Sequence, residues 1–304
     1  MSPSPCDRLV NIRQVLVVGG GTMGQQIACH CLAHGLNVRI HDVNPDALKT
    51  AQAVKFLNAS VFQSRLADRI GGLIASLTVE TDPTRAARDV DLLIEAVPER
   101  ASLKRIVFEQ FGALCRPEAI FTTNTSTMLP SMLAAASGRP AQFAAMHFGL
   151  QGELVEIMPT PLTSSETIQS LQEFARSIHH LPIVCRKEVP GYVLNTMLMS
   201  LNAAALRLVV DGVASVEDID RAWMRTMDVG IGPFGILDGV GLDTAWSITE
   251  FRAKLHKEPE TQRIADFLKT FVDQGRLGVK SGAGFYTYPQ PAYKAQDFLA
   301  PGRD

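Results

Sequence analysis

Val15-Leu16-Val17-Val18-Gly19-Gly20-Gly21-Thr22-Met23-Gly24 is an apolar stretch running into a G-x-G-x-x-G loop, and Asp42 stands eighteen residues beyond the last glycine. Gln14–Val18 reads as a strand buried on both faces. Met23–His34 reads as a helix that turns Ile27, Ala28, Cys31 and Leu32 inward, and Asn37–His41 as a second strand ending at the acid. Each glycine has a task in such a unit. Gly19 makes the tight turn, Gly21 lets the backbone approach a pyrophosphate, and Gly24 lets helix and strand pack closely. Thr22 and Met23 join the glycines in the expected cofactor loop, where the helix N-terminus offers free N–H groups and a positive dipole end to phosphate. Asp42 would accept hydrogen bonds from an adenosine ribose and repel a 2′-phosphate, so the expected cofactor is NAD rather than NADP.

The 304 residues suffice for two domains. A hydrophobic content of 46% with 20% charged residues is that of an ordinary globular protein, and a net charge of −2 gives no footing for nucleic acid or an anionic membrane as partner. Cys6, Cys29, Cys31, Cys115 and Cys185 show no C-x-x-C spacing. Free thiols in a reducing cytoplasm are therefore expected, with neither disulfides nor a metal site. Met1–Gln14 has no apolar core of the signal-peptide kind. Val189–Val210 contains Asn195, Asn202 and Arg207, which makes it a domain helix rather than a membrane span.

After Asp42 the βα alternation continues. A helix is expected over Pro45–Leu73, a strand over Leu77–Thr81, a short helix at Thr84–Arg88, and strands at Asp91–Ala96 and Ile120–Thr123 around a helix at Leu103–Leu114. Pro130–Ala136, Phe143–His147, Leu154–Met158, Glu166–Ile178 and Ile183–Cys185 complete it. The expected fold is α/β: a Rossmann-type, doubly wound, mostly parallel sheet over residues 1–188, then an all-helical domain over residues 189–304. Helices are expected there at Tyr192–Val210, Val216–Met227, Gly235–Phe251 and Thr261–Gln274, with Tyr293–Asp304 loosely tied. Tyr192–Val210 carries more apolar surface than a small helical domain needs, which suggests a homodimer interface or a domain core.

Two segments could carry chemistry at the carboxyl edge of the sheet. Thr122-Thr123-Asn124-Thr125-Ser126-Thr127 closes one strand, where Thr127 suits a helix cap and Ser126 is left over for other work. Met146-His147-Phe148 closes the next, and Leu154-Val155-Glu156 follows nine residues on. A lone histidine is commonly structural, but a carboxylate at an adjacent strand end would orient His147 and raise its basicity, as a general base for an alcohol requires.

At these residues the chain resembles the 3-hydroxyacyl-CoA dehydrogenases. The resemblance runs from the glycine loop through Glu95-Ala96-Val97-Pro98-Glu99 with Lys104, Asn124-Thr125-Ser126, His147-Phe148 and Leu154-Val155-Glu156. It continues through Pro190-Gly191-Tyr192-Val193-Leu194-Asn195, Gly232-Pro233-Phe234 and Leu237-Asp238 to Gly278-Val279-Lys280-Ser281-Gly282-Ala283-Gly284-Phe285-Tyr286. It implies that His147 takes the hydroxyl proton while hydride passes to nicotinamide, and that Glu156 holds the imidazole. By the same resemblance Ser126 donates to the substrate oxygen and Asn195 reaches the substrate cleft from the second domain. Glu99 and Lys104 match positions at the cofactor's nicotinamide end, and Ala96, Asn124 and Lys280 fall in the cofactor set.

The chain departs from the family in one loop. His147-Phe148-Gly149-Leu150-Gln151-Gly152-Glu153 is shorter than the usual H-F-F-N-P connection and lacks its Asn-Pro, so Leu150 or Gln151 stands near the missing amide. Glu153 also rivals Glu156 as the partner of His147. Lys49, Lys55, Arg65 and Arg69 form a thin basic set for CoA phosphates and would equally suit a solvated helix face. The substrate expected is a short (S)-3-hydroxyacyl thioester, on CoA or a carrier protein, with a free hydroxy acid or a catalytically weak nucleotide-binding role as alternatives.

Overall fold

The computed structural model describes residues 11–47, 79–149 and 153–300. The expected helix Pro45–Leu73 and its basic residues Lys49, Lys55, Arg65 and Arg69 lie essentially outside these, as do Cys6, Leu150 and Gln151. The chain divides into two compact units, Met1–Val193 and Leu194–Asp304.

The first unit is built on one sheet of eight strands: β1 (Gln14–Val18), β2 (Asn37–His41), β3 (Val79–Glu80), β4 (Leu92–Glu95), β5 (Ile120–Thr123), β6 (Phe143–Phe148), β7 (Leu154–Pro159) and β8 (Leu181–Val184). Their spatial order is β3-β2-β1-β4-β5-β6-β7-β8. All neighbours pair in parallel except β6 and β7. The winding reverses between β1 and β4, and such a switch point opens a crevice at the carboxyl ends of the strands.

Residues alternate between the two faces of the sheet, and both faces are buried. Val15, Val17, Leu92 and Ile94 pack on one side with Ile27, Ala28 and Cys31 of helix α1 (Thr22–Ala33). Leu16, Val18 and Leu93 pack on the other, with Val107, Phe108 and Phe111 of a helix over Ala101–Leu114. This double burial explains the uninterrupted apolar run of β1, because a parallel sheet covered on both faces has no solvent side to encode. A short helix α2 (Pro83–Ala86) precedes the Ala101–Leu114 helix, here α3. Then come α4 (Ser131–Ala134) and α5 (Ser165–Ser177), whose Ser164 hydroxyl accepts from the Thr167 amide.

The second unit holds α6 (Leu194–Val210), α7 (Val216–Met227), α8 (Pro233–Val240), α9 (Leu242–His256) and α10 (Pro259–Asp273). Three expectations need correction here. The helix expected from Tyr192 begins at Leu194, because Gly191 (φ 86°) and Tyr192 (φ 55°) are left-handed and cannot sit inside a right-handed helix. The single helix expected over Gly235–Phe251 is two helices, broken at Gly241 with φ 101°. The tail is also anchored as far as it is described. Phe298 is fully buried in the helical core, and its carbonyl accepts from Arg221 Nε at 3.1 Å. Among the described residues no helix is long and apolar enough to cross a membrane.

Candidate active site

The glycine loop connects β1 to α1 at the switch point. Gly19 N donates to the His41 carbonyl at 2.8 Å. A Cβ on Gly19 would lie 2.6 Å from the Ala96 carbonyl, and one on Gly24 only 1.8 Å from the Gly19 carbonyl, so both positions exclude a side chain. In front of Gly21, by contrast, a Cβ would meet nothing within 4 Å, and the N-terminus of α1 has no side-chain cap. Open space in front of Gly21, at the N-terminus of a twelve-residue helix, suits a pyrophosphate. Asp42 caps the second strand with both oxygens engaged, Oδ2 by the Gly20 amide at 2.7 Å and Oδ1 by the Asn44 amide at 2.8 Å. Each oxygen keeps a further lone pair for a ribose hydroxyl. These residues fit a dinucleotide such as NAD.

Three expected residues meet at the carboxyl edge of β5 and β6. His147 and Glu156 are directly opposed across the antiparallel pair, with Nδ1 3.3 Å from Glu156 Oε2. Ser126 Oγ lies 3.1 Å from His147 Nε2. Glu156 is buried, and its other oxygen accepts from the Val193 amide at 2.8 Å. The Nδ1–carboxylate contact assigns the proton to Nδ1, so Nε2 presents its lone pair toward Ser126. Glu153 is exposed, and its charge acts on His180.

The Ser126 loop is held from below. Glu99 Oε1 accepts from the amides of Ser126 and Thr127, each at 3.1 Å, from the Thr127 hydroxyl at 2.9 Å, and from the Thr125 hydroxyl. Burial works to raise the Glu99 carboxyl, but the Thr125 and Thr127 hydroxyls and the Lys104 ammonium outweigh it and hold it below the usual carboxylate range. Lys104 itself is 1% exposed. Its ammonium meets Glu95 at 2.7 Å, Glu99 at 3.1 Å and the Val97 carbonyl at 3.3 Å, which uses all three of its protons. Lys104 therefore reaches the site through Glu99. Burial pushes Glu95 up, against the pull of Lys104, the Thr123 hydroxyl and the Val97 amide.

Asn124 Oδ1 accepts from the Phe148 amide at 2.8 Å, tying the end of β5 to the residue after His147. Ala96 follows β4, with its amide on the Val18 carbonyl. Asn195 and Lys280 belong to the second unit. Asn195 is half-buried in the first turn of α6, and Lys280 is half-exposed and paired with both oxygens of Asp243 at 2.6 and 2.7 Å. Sequence reasoning missed Tyr192, which stacks on the His147 ring at 4.6 Å between centroids. The Pro190-Gly191 turn before it marks a break in the chain but carries no signal of the stack, which joins distant segments.

The family model described as the 3-hydroxyacyl-CoA dehydrogenase NAD binding domain matches residues 14–189, and that of the C-terminal domain of the same enzymes matches residues 191–288. A probable 3-hydroxybutyryl-CoA dehydrogenase of Deinococcus radiodurans is 36% identical over 279 residues, covering 90% of this chain and 99% of its own. Among solved structures, a diketoreductase superposes with a TM-score of 0.83 at 38% identity, covering 91% of this chain and 99% of its own. The (S)-3-hydroxybutyryl-CoA dehydrogenase of Ralstonia eutropha does so with a TM-score of 0.79 at 30% identity, over 92% and 100%. With both halves matched in order and the likeness running nearly end to end, the chain belongs to the NAD-binding 3-hydroxyacyl-CoA dehydrogenase family.

Proposed function

We propose that the chain is an NAD-dependent dehydrogenase interconverting a short (S)-3-hydroxyacyl-CoA and its 3-oxo form. The observation that carries this reading is the hydrogen-bonded row Ser126–His147–Glu156 at the edge where such sheets take their ligands. When bound, NAD supplies the nicotinamide carbon that accepts or returns the hydride. Gly19, Gly21, Thr22, Met23, Gly24 and Asp42 would hold it, with Ala96, Asn124 and Glu99 beyond them.

In the oxidation direction His147 Nε2 takes the hydroxyl proton, and the buried Glu156 carboxylate stabilises the imidazolium that results. Ser126 donates to the substrate oxygen and keeps it in line with Nε2. In reduction the imidazolium returns its proton to the ketone oxygen as the alcohol forms. Asn195 is assigned to the substrate and Lys280 to the cofactor by likeness to the family.

The second reading is a substrate without a thioester. The likeness to a diketoreductase favours it, and so does the loop after His147, which lacks the family's Asn-Pro. An assay of NADH consumption by the purified protein with acetoacetyl-CoA, its carrier-protein equivalent, free 3-oxo acids and diketones separates the two. The favoured reading predicts a kcat/KM on acetoacetyl-CoA about 100-fold or more above the free acids, since remote binding energy is then used in the transition state. Turnover of diketones alone would reverse it.

The protein acts as a homodimer in this reading. Helix α6 buries only Ala205 and Leu206 of its 17 residues, while Leu194, Met197, Met199 and Leu208 are exposed on an apolar helix. The four described cysteines are free and buried, which suits a reducing cytoplasm, and a hydroxyacyl-CoA substrate would place the reaction in fatty acid metabolism.

A further inference from the structure

The contacts of Tyr192 are more than packing. Its ring lies over the His147 imidazole with an interplanar angle of 13° and 4.6 Å between centroids. Its hydroxyl donates to the Thr125 carbonyl at 2.7 Å, one residue before Ser126. The next amide, that of Val193, binds the Glu156 oxygen that His147 does not use. Tyr192 is 1% exposed and holds φ at 55°, a left-handed conformation that bulky residues adopt only where the surroundings enforce it.

We propose that Tyr192 is a positioning residue of the proton-transfer site: its ring face sets the plane of the His147 imidazole and favours the imidazolium, while its hydroxyl ties that ring to the segment carrying Ser126. This rests on the reading of His147 as the acid–base group. The bonds at Nδ1 and Nε2 resist turning of the imidazole about Cβ–Cγ. A parallel aromatic face adds to that restraint by bearing on the plane of the ring. The negative face of the phenol also attracts the imidazolium more than the neutral ring, an attraction that gains strength away from water. The ionisable groups around the pair are Glu156 on β7, Cys185 after β8, Glu95 on β4, and Glu99 with Lys104 beyond it. None of them lies in the stacked ring itself, so the contribution of the ring can be isolated.

The test is the pH titration of the His147 imidazole, followed by NMR in the NADH-bound protein and assigned with His147→Gln. Tyr192→Phe keeps the stacked face and should leave the titration within about 0.3 pH units of wild type, because only the hydroxyl tie is lost. Tyr192→Leu should move it down by about one pH unit, a tenfold change in protonation. Replacement of Tyr192 by pentafluorophenylalanine, which keeps the ring's shape and inverts its face potential, should move it at least as far. This variant decides the matter if the leucine variant does not fold. The rise of kcat/KM with pH in the oxidation direction should shift downward in step. An unmoved titration in the pentafluorophenylalanine protein would overturn the proposal. Because the titration is read without substrate, inertness toward every hydroxyacyl thioester would instead overturn the proposed function and leave this result to stand by itself.

Discussion

His147 and Glu156 face each other across the antiparallel pair β6–β7, so the register of two strands brings the imidazole to the carboxylate. A one-residue slip would send one of them to the opposite face of the sheet. The second Glu156 oxygen is held by the Val193 amide, which leaves the carboxylate little freedom to turn away. Glu156→Gln should lower kcat by about tenfold or more by removing the charge that stabilises imidazolium. Glu153→Gln should leave kcat within about twofold, as expected for an exposed side chain outside the hydrogen-bonded row. Steady-state kinetics of the two variants side by side checks this, and a larger loss in Glu153→Gln would reverse the assignment.

Cofactor preference should follow Asp42. Its carboxylate is anchored by two amides and is followed directly by the exposed Val43 and Asn44 rather than by a basic residue. Wild type is expected to prefer NADH over NADPH by about 100-fold, the like-charge clash being worth a few kcal/mol. Asp42→Ala with Val43→Arg should narrow that ratio. Equal use of both cofactors by wild type would contradict the role given to Asp42.

Lys104 offers a stability test. Replacing it by methionine strands Glu95, which is fully buried, and should cost about 3–5 kcal/mol in denaturant unfolding at neutral pH. Burial already holds the Glu95 pKa above its unfolded value, and loss of Lys104 raises it further. Such a group binds protons more tightly in the folded state. The penalty should therefore shrink as pH falls and grow as pH rises through the folded pKa. A Lys104→Met deficit that does not vary with pH would contradict the pairing.

Glu99 titrates with the opposite sign. Its carboxyl is held low, so the stability it contributes is present above the ordinary carboxylate range and fades as pH falls through its folded pKa. Glu99→Gln should accordingly lose stability relative to wild type near pH 7 and match it in acid. The same variant should lower kcat, because Glu99 gathers Thr125, Ser126 and Thr127 around one oxygen.

On the apolar face of α6, Leu208→Glu should yield monomers with impaired turnover. Light scattering on wild type and variant reads this directly. A fully active monomeric wild type at micromolar concentration would contradict the dimer.

The sequence was most legible where local chemistry and buried strands coincide. Gln14–Val18, Asn37–His41 and Ile120–Thr123 appear in the structure with the expected bounds, because apolar runs between glycine and polar turns admit few alternatives. The meeting of His147 with Glu156 was legible from strand ends alone, whereas Ser126 took its place beside them only through the family resemblance. The break at Gly241 was not, since a glycine within an apolar helical pattern costs too little to signal a stop, and only its left-handed φ ends α8. Nor were the Tyr192 stack and the saturation of Lys104, which depend on side chains brought together from distant segments. The resemblance put Glu99 at the cofactor; its bonds within the protein, to the Ser126 loop and Lys104, come from contacts that no local pattern announces.

The most direct test of the central claim is the effect of His147→Gln on NADH-dependent reduction of acetoacetyl-CoA, with NADH affinity measured by fluorescence titration on the same preparation. Loss of the group that moves the proton should lower kcat by about 10² to 10⁴ while leaving NADH binding within about twofold. A variant that keeps more than about a tenth of wild-type kcat would show that the proton travels by another route and would contradict the role assigned to His147.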